Sequence, residues 1–379
     1  MILVILLFGV VSGSLLKNVP KREMFDVTID RNHPEKVLKD FEDFIIKYQR
    51  NYTSAAEKSR RLGHFARKHN RLQKLRQNAS LAGTNVTFGL NHFADWTREE
   101  FEGMLSHVPP PSENEKLPDY SKIHNSTNIR SKRSSIPENY DLREATINDA
   151  PLIGRIKNQG SCGCCWAFAV TALTETVYTL KNYKHRSLSD QEICDCGISG
   201  KTPGCVGGDP HYGLRYASQL GQTAQSVYPY VDGRANKTGQ CRLKKTKRYL
   251  DEYDFKTKSI NKRGAEKKIM EHLVDHNIPV AVYFRVGEDF ENYESGILES
   301  QGCDKTKAPI WHSGAIVGFG TSYRSSGRTV KYWILRNSWD DDWGEKGYIR
   351  VVRGIDWCDI EKDAVTAVLN KKSSRYDYD

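Results

Sequence analysis

Asn158-Gln159-Gly160-Ser161-Cys162-Gly163-Cys164-Cys165-Trp166-Ala167-Phe168 opens a run that stays largely apolar to Leu180. The pattern predicts a helix from about Ser161 to Leu180, with three cysteines crowded at its start. That position has chemical meaning. The first turn of a helix presents unpartnered N–H groups and a positive dipole end, and both favour a thiolate over a thiol. The thiolate is the nucleophilic form, and a nearby imidazolium stabilises it further. Ile310-Trp311-His312-Ser313-Gly314 offers the imidazole, and Arg336-Asn337-Ser338-Trp339 offers a polar residue at the end of a strand. Taken singly, such a histidine is usually a satisfied, semi-buried group and such an asparagine a turn former. The set carries the reading, not any one member.

Around this stretch the chain changes character twice. Downstream, helical signals recur near Ser189 and over 212–217. After residue 245, alternation and β-branched residues predict strands over 280–286, 314–320, 329–339 and Tyr348–Val352. A helical half followed by a strand-rich half makes an α+β domain beginning near Ile136. Upstream, 108–135 holds Pro109, Pro110, Pro111 and Pro118 among Ser, Asn and Lys, and reads as a linker with a natural cleavage point at Lys132-Arg133. Before it, apolar spacing predicts a helix over 34–49 and another from Ser54. Ser54-Ala55-Ala56-Glu57 fits a capping box. Leu62, Phe65, Leu72 and Leu75 line one face of that helix. Arg60, Arg67, Lys68, Arg71 and Lys74 form a basic face expected to meet solvent. The stretch 88–95 is strand-like, and a further helix starts at Thr97.

Composition bounds the function. The chain has 379 residues, 38% hydrophobic and 27% charged, enough for a buried core and about two to three domains. A wholly disordered chain is excluded. The net charge of +10 is not gathered into Lys/Arg runs interleaved with aromatics, which argues against a nucleic-acid partner. A basic surface-binding protein rests on that charge alone. Residues 1–11 are apolar and precede Ser12, Gly13 and Ser14, as in a signal peptide over 1–14. No later segment is long and apolar enough to span a bilayer, so no stable membrane insertion is expected. The route implied is the secretory pathway, ending in the lysosome or outside the cell. Asn51, Asn78, Asn85, Asn125 and Asn236 are glycosylation acceptors that suit it. Nine cysteines suggest eight paired and one free in an oxidising compartment. Cys162, Cys164 and Cys165 with Cys194 and Cys196 offer thiolates to a metal. Their spacings are tighter than ordinary zinc pairs, and neither metal nor cofactor is expected.

Cys162-Gly163-Cys164-Cys165-Trp166 resembles the nucleophile motif of the papain family of cysteine proteases, whose signature is a known reference case. His312 follows Cys165 within the about 130–150 residues expected there, and Asn337 falls somewhat beyond. Leu188-Ser189-Asp190-Gln191-Glu192, Gly204-Cys205-Val206-Gly207-Gly208 and Asn337-Ser338-Trp339 with 343–348 resemble further landmarks, in order. Three residues depart from the family: Cys164 stands in place of Ser or Ala, Asp340 in place of Gly, and Trp311 precedes the histidine.

The resemblance implies a papain-like two-lobed fold, one helical lobe and one antiparallel β-barrel-like lobe, behind a helical prodomain. It implies Cys165 as nucleophile, His312 as its ion-pair partner and general acid, Asn337 as holder of the ring, and Trp339 as cover. Gln159 would donate to the oxyanion. A substrate pocket would be lined by Gly207, Gly208, Asp209, Pro210, Tyr283 and Ser313, with Asp363 at its floor. Two acidic groups there would favour Arg or Lys beside aliphatic side chains, unless Asp209 and Asp363 point to solvent or pair with each other's neighbours. Implied disulfides are Cys162–Cys205, Cys196–Cys241 and Cys303–Cys358. For Cys164 and Cys194 either a fourth bridge or two unpaired thiols stays open.

Upstream, Glu57, Arg61, Phe65 and Leu72 resemble the inhibitory prosegment of cathepsin L-like enzymes, although Lys68 and Arg76 stand where asparagines are usual. Gly89, Asn91, Phe93 and Asp95 match its second motif. The implied plan is a signal peptide over 1–14, an inhibitory prodomain over 20–107, and a cleft-crossing segment and processing linker over 108–135. A peptidase domain follows over 136–370, then a loose tail over 371–379. The implied function is a cysteine endopeptidase made as a secreted zymogen. It would act on proteins and peptides, be inhibited by its own prodomain, and be monomeric once mature. The alternative is a non-catalytic papain-like protein that binds peptides.

Overall fold

The computed structural model describes residues 34–109, 135–197, 204–231, 233, 237–242, 247–250, 254–261, 264–300, 302–303 and 310–370. The expected signal peptide, the Lys132-Arg133 site, Asn125, Asn236 and the tail lie outside the described residues. The chain divides into two compact units. One holds the described residues up to Gly83 together with Phe88–Arg98, and the other holds Thr84–Thr87 and the chain from Glu99 onward.

The first unit is a helical hairpin, α1 (Pro34–Lys47) and α2 (Ala55–Leu81). Its core is aromatic. Phe65 of α2 packs on Phe41 and Phe44 of α1, with ring centroids 5.2 and 5.3 Å apart, and Val37, Ala66 and Ala94 close the cluster. Ser54 caps α2 by accepting from the Glu57 amide at 3.1 Å. The return half of the expected capping box is replaced: the Glu57 carboxylate instead accepts from Arg61 at 2.7 Å and Arg60 at 2.6 Å. A charged donor one turn along outcompetes a neutral amide.

The basic face of α2 is only partly solvated. Lys68 donates to the Phe93 carbonyl at 2.6 Å, and Arg76 to that of Phe88 at 2.9 Å. The two departures from the prosegment motif therefore hold the stretch 88–95. That stretch is strand only at Thr87–Phe88 and then turns, because the Asn91 side chain accepts from the Phe93 amide at 3.1 Å.

The chain enters the second unit through α3 (Arg98–Gly103). Helices α4 (Cys165–Asn182), α5 (Asp190–Cys196) and α6 (Pro210–Leu220) follow. Every residue of α4 from Cys165 to Thr179 is buried, so it is a core helix rather than an amphipathic one. It starts at Cys165, not Ser161, because the turn before it is tied down by cysteines.

The sheet has eight strands: β1 (Tyr140–Asp141), β2 (Phe255–Asn261), β3 (Val280–Arg285), β4 (Ile297–Leu298), β5 (Trp311–Tyr323), β6 (Thr329–Arg336), β7 (Tyr348–Val352) and β8 (Asp363–Leu369). The order is β2-β8-β3-β5-β6-β7-β4, with β1 added to β5. Among the described residues it does not close into a barrel, and β7 pairs with β4 in parallel. A helix α7 (Ala265–His276) interrupts the strand-rich half, with Ile269, His272 and Leu273 buried at helical spacing. Apolar residues of α4, α5 and α6 join Phe255, Ala281, Ala315, Val365 and Ala367 of the sheet in one core.

Candidate active site

Cys165 is the first residue of α4 and is fully buried. The residues just before it are pinned by two disulfides. The structure pairs Cys162 with Cys205, Cys164 with Cys194, Cys196 with Cys241 and Cys303 with Cys358. Cys165 alone keeps a free thiol. The cysteines weighed as zinc ligands are thus held in disulfides, apart from Cys165.

His312 sits near the start of β5. Register sets Phe284 of β3 opposite His312 and Tyr283 opposite Ser313. Nε2 of His312 lies 2.8 Å from Oδ1 of Asn337, just past the end of β6. The Trp339 ring covers the pair, its centroid 4.8 Å from the imidazole. Asp340, which stands where the family has Gly, has φ +69°, a left-handed conformation that an aspartate tolerates better than most residues. Trp311 stacks on Tyr283 with centroids 5.6 Å apart.

Gln159 is buried and fully engaged. Its Oε1 accepts from the Ser338 hydroxyl at 2.6 Å. Its Nε2 donates to the carbonyls of Cys162 and Met104, both at 2.8 Å. Met104 belongs to a stretch, 101–108, that lies in the groove lined by Gln159, Val206, Tyr283, Trp311 and Trp339. Phe101 meets Trp339 edge-on at 5.6 Å. Ser106 exchanges two backbone hydrogen bonds with Trp311, at 2.8 and 3.0 Å. The His107 amide donates to the Val206 carbonyl, and the Tyr283 hydroxyl donates to the Ser106 hydroxyl and to the Val108 carbonyl. Gly207, at φ +132°, leaves room for Ser106 that a Cβ would fill. Gly208 faces the Trp166 ring in the same way.

Burial sets the electrostatics. It pushes the Cys165 thiol up to about 11. It pushes His312 down to about 4, against the pull of the Asn337 hydrogen bond. The sulfur's hydrogen bond runs to the Gly163 carbonyl at 3.9 Å, and Nδ1 of His312 has no hydrogen-bond partner among the described residues. In this structure burial disfavours the charged form of both groups, the thiolate and the imidazolium alike. Desolvation outweighs the helix dipole here.

The expected pocket residues Gly207, Gly208, Asp209, Pro210, Tyr283, Ser313 and Trp339 are all buried or half-buried in this unit, near the start of α6 and the facing ends of β3 and β5. Asp209 caps α6, accepting from the His211 amide at 2.8 Å. Between Asp209 and Asp363 stands His211, which sequence reading passed over. Its Nδ1 lies 2.9 Å from Asp209 and its Nε2 3.5 Å from Asp363. Asp209-Pro210 is a helix-start signature, so a side chain two residues on was bound to meet the capping carboxylate. Of the acceptors, Asn51, Asn78 and Asn85 are exposed. Among the described residues no helix is long and apolar enough to cross a membrane.

The papain family cysteine protease model matches residues 136–368, and the cathepsin propeptide inhibitor domain matches residues 41–101. Fruit bromelain of Ananas comosus is 32% identical over 86% of this chain and 84% of its own length. Cathepsin W of Mus musculus is 32% identical over 89% of this chain and 88% of its own. Among solved structures, digestive procathepsin L 3 of Tenebrio molitor larval midgut shares the fold at TM-score 0.71 and 24% identity, covering 88% of this chain and 99% of its own. A recombinant stem bromelain precursor aligns at TM-score 0.68 and 26% identity, covering 89% and 100%.

Proposed function

Because the chain belongs to the papain family of cysteine proteases and carries an inhibitory propeptide domain, we propose that it is a secreted zymogen of an endopeptidase whose nucleophile is Cys165. When Met104–Val108 leaves the groove, water and substrate replace it. The burial that disfavours charge on both groups is then relieved, and the Cys165 proton moves to Nδ1 of His312. The thiolate attacks the scissile carbonyl carbon. The oxygen takes the negative charge and accepts from Nε2 of Gln159 and from the Cys165 N–H. His312, its ring held by Asn337, gives its proton to the leaving amine, and the C–N bond breaks. A water then loses a proton to His312, attacks the thioester and releases the acid, returning the thiol.

The observation that most supports this reading is the Gln159 amide hydrogen bonded to a peptide carbonyl, that of Met104, at 2.8 Å. A donor that binds one backbone carbonyl beside the free thiol is suited to bind another. Its burial and the Ser338 hydrogen bond keep the amide aimed. The absence of a cleft-capping, cysteine-bearing insertion in the sequence supports endopeptidase action. We place the protein in the secretory pathway, bound for the lysosome or the exterior, with residues 136–370 as the mature, monomeric peptidase.

A thiol-reactive peptide epoxide tests the reading. Acid-processed enzyme is expected to take up one equivalent on Cys165, with loss of all peptide hydrolysis. Gln159→Ala is expected to label still, but to turn over on the order of 10²–10³ more slowly. Processed protein that resists the epoxide and leaves peptides intact would refute the assignment.

A further inference from the structure

Two carboxylates and one imidazole meet at the start of α6, beside the groove. His211 stands with Asp209 at 2.9 Å on one nitrogen and Asp363 at 3.5 Å on the other. All three ligand atoms lie within 4.8 Å of one another. Asp363 keeps 18% of its side chain exposed, against 4% for His211 and 6% for Asp209. The open side of the cluster is therefore its aspartate on β8. The groove is next to it. The residue after Asp363, Ala364, pairs with Val282 of β3, adjacent to Tyr283, and Tyr283 holds the Val108 carbonyl at 2.6 Å.

Counting charge gives a different pocket from the one its two acids suggest. A protonated imidazole between two carboxylates cancels one of them. Resting on the peptidase reading above, we propose that His211 is a specificity-determining residue. By neutralising Asp209 it leaves a single negative charge, on Asp363, that selects substrates with a basic side chain at the position reaching β8. Lone Asp209 and Asp363 would repel each other and share a proton, so the imidazolium is also what keeps Asp363 ionised.

Titration supports this sign. Burial alone would depress His211, but Asp363 and then Asp209 lift it to about 9, so it is charged at neutral pH. Burial raises Asp363 to about 6 against the pull of His211. The other groups that face the cluster are Tyr283 on β3, which burial keeps protonated, and Cys165 on α4, which acts on Tyr283. Above about pH 6 the pocket thus carries one negative charge, and below it none. The selection of basic side chains should fade in acid, while uncharged side chains are accepted throughout.

The test is a ratio. Processed wild type, Asp363→Asn and His211→Asn are assayed on two peptides that differ only in Arg or Leu at the second residue before the scissile bond. Both peptides use the same thiol and imidazole, so catalytic titrations cancel in the ratio of their kcat/KM values. Wild type is expected to show a ratio that falls about tenfold from pH 7.5 to pH 5, the scale of one partly screened charge. In Asp363→Asn the ratio should be low and flat. In His211→Asn its midpoint should move to higher pH, because Asp363 then faces Asp209 with no cation between, an effect that mere loss of packing would not produce. A wild-type ratio flat with pH, or variants that keep the wild-type curve, would overturn the role of His211 while epoxide labelling leaves the peptidase reading intact. Failure to label Cys165 in wild type would sink that reading first, and this one with it.

Discussion

The two units of the chain are held together by different means. The peptidase unit has all four disulfides and a continuous core running from α4 to the sheet. The prosegment unit has neither. It rests on one small aromatic cluster and on ion pairs such as Arg61–Glu57, with side chains 21% and 22% exposed. Their carboxylates also lean opposite ways. Hydrogen bonds from Arg61 and Arg60 hold Glu57 below its ordinary value. Burial raises Asp190 and Asp363 to about 6, and raises Glu361. Glu175 goes the other way, held down by Lys157. A depressed carboxylate stabilises above its unfolded value and loses that contribution as pH falls, whereas a raised one gains on protonation. Acid is therefore expected to weaken the prosegment unit sooner than the peptidase unit.

The sharpest way to break this asymmetry is to hollow out the smaller core. Phe65→Ala removes the ring that packs on Phe41 and Phe44, at a cost of about 3–5 kcal/mol. A unit of this size has little more than that to lose. Precursor carrying the change is expected to hydrolyse peptides at neutral pH without acid treatment, while the higher of two calorimetric transitions stays in place. A precursor that remains latent at pH 7 would show that the helical hairpin is not what holds inhibition. The mirror experiment is Cys164→Ser with Cys194→Ser. The two are 30 residues apart in sequence, and opening such a loop is worth about 2–4 kcal/mol. The upper transition alone should drop, and the pH of processing should stay where it was.

The contrast bears on what was readable beforehand. Landmarks around Cys165, His312 and Asn337 were legible because each rests on local chemistry: a thiol at a helix start, an imidazole on a strand, an amide at a strand end. The 34–49 and 54–81 helices were legible from spacing. What escaped reading depended on partners distant in sequence. Lys68 and Arg76 look like surface charges until the 88–95 stretch folds over them. Strands β2 and β8 are separated by more than a hundred residues, yet they pair with each other, and β8 pairs also with β3. Helix α7 sits within a strand-rich run, and its four buried positions are few enough to be lost among lysines and glutamates. His211 was hidden by the aspartates named on either side of it. The burial that disfavours charge on Cys165 and His312 was not readable at all, since it follows from the packing around them rather than from the residues themselves.

The finest probe of the comparison is the ion pair itself. Glu57→Gln keeps the shape of the side chain and removes its charge, so Arg60 and Arg61 lose a carboxylate while Arg61 retains its hydrogen bond to the Asp95 carbonyl at 3.0 Å. The pair is partly exposed to solvent, and its worth is accordingly under about 1 kcal/mol. That contribution is present above the ordinary carboxylate range and is lost as pH falls through the lowered value of Glu57. The variant's prosegment should then melt lower than wild type at pH 7, and the gap should close as acid protonates Glu57. In molar salt the difference at pH 7 should shrink, because exposed charges are screened over about 3 Å. The processing midpoint should rise by a few tenths of a pH unit and no more. A larger rise would mean that Glu57 anchors more of the prosegment than its two arginines, and an unchanged midpoint with an unchanged melt would place the acid trigger elsewhere in that unit.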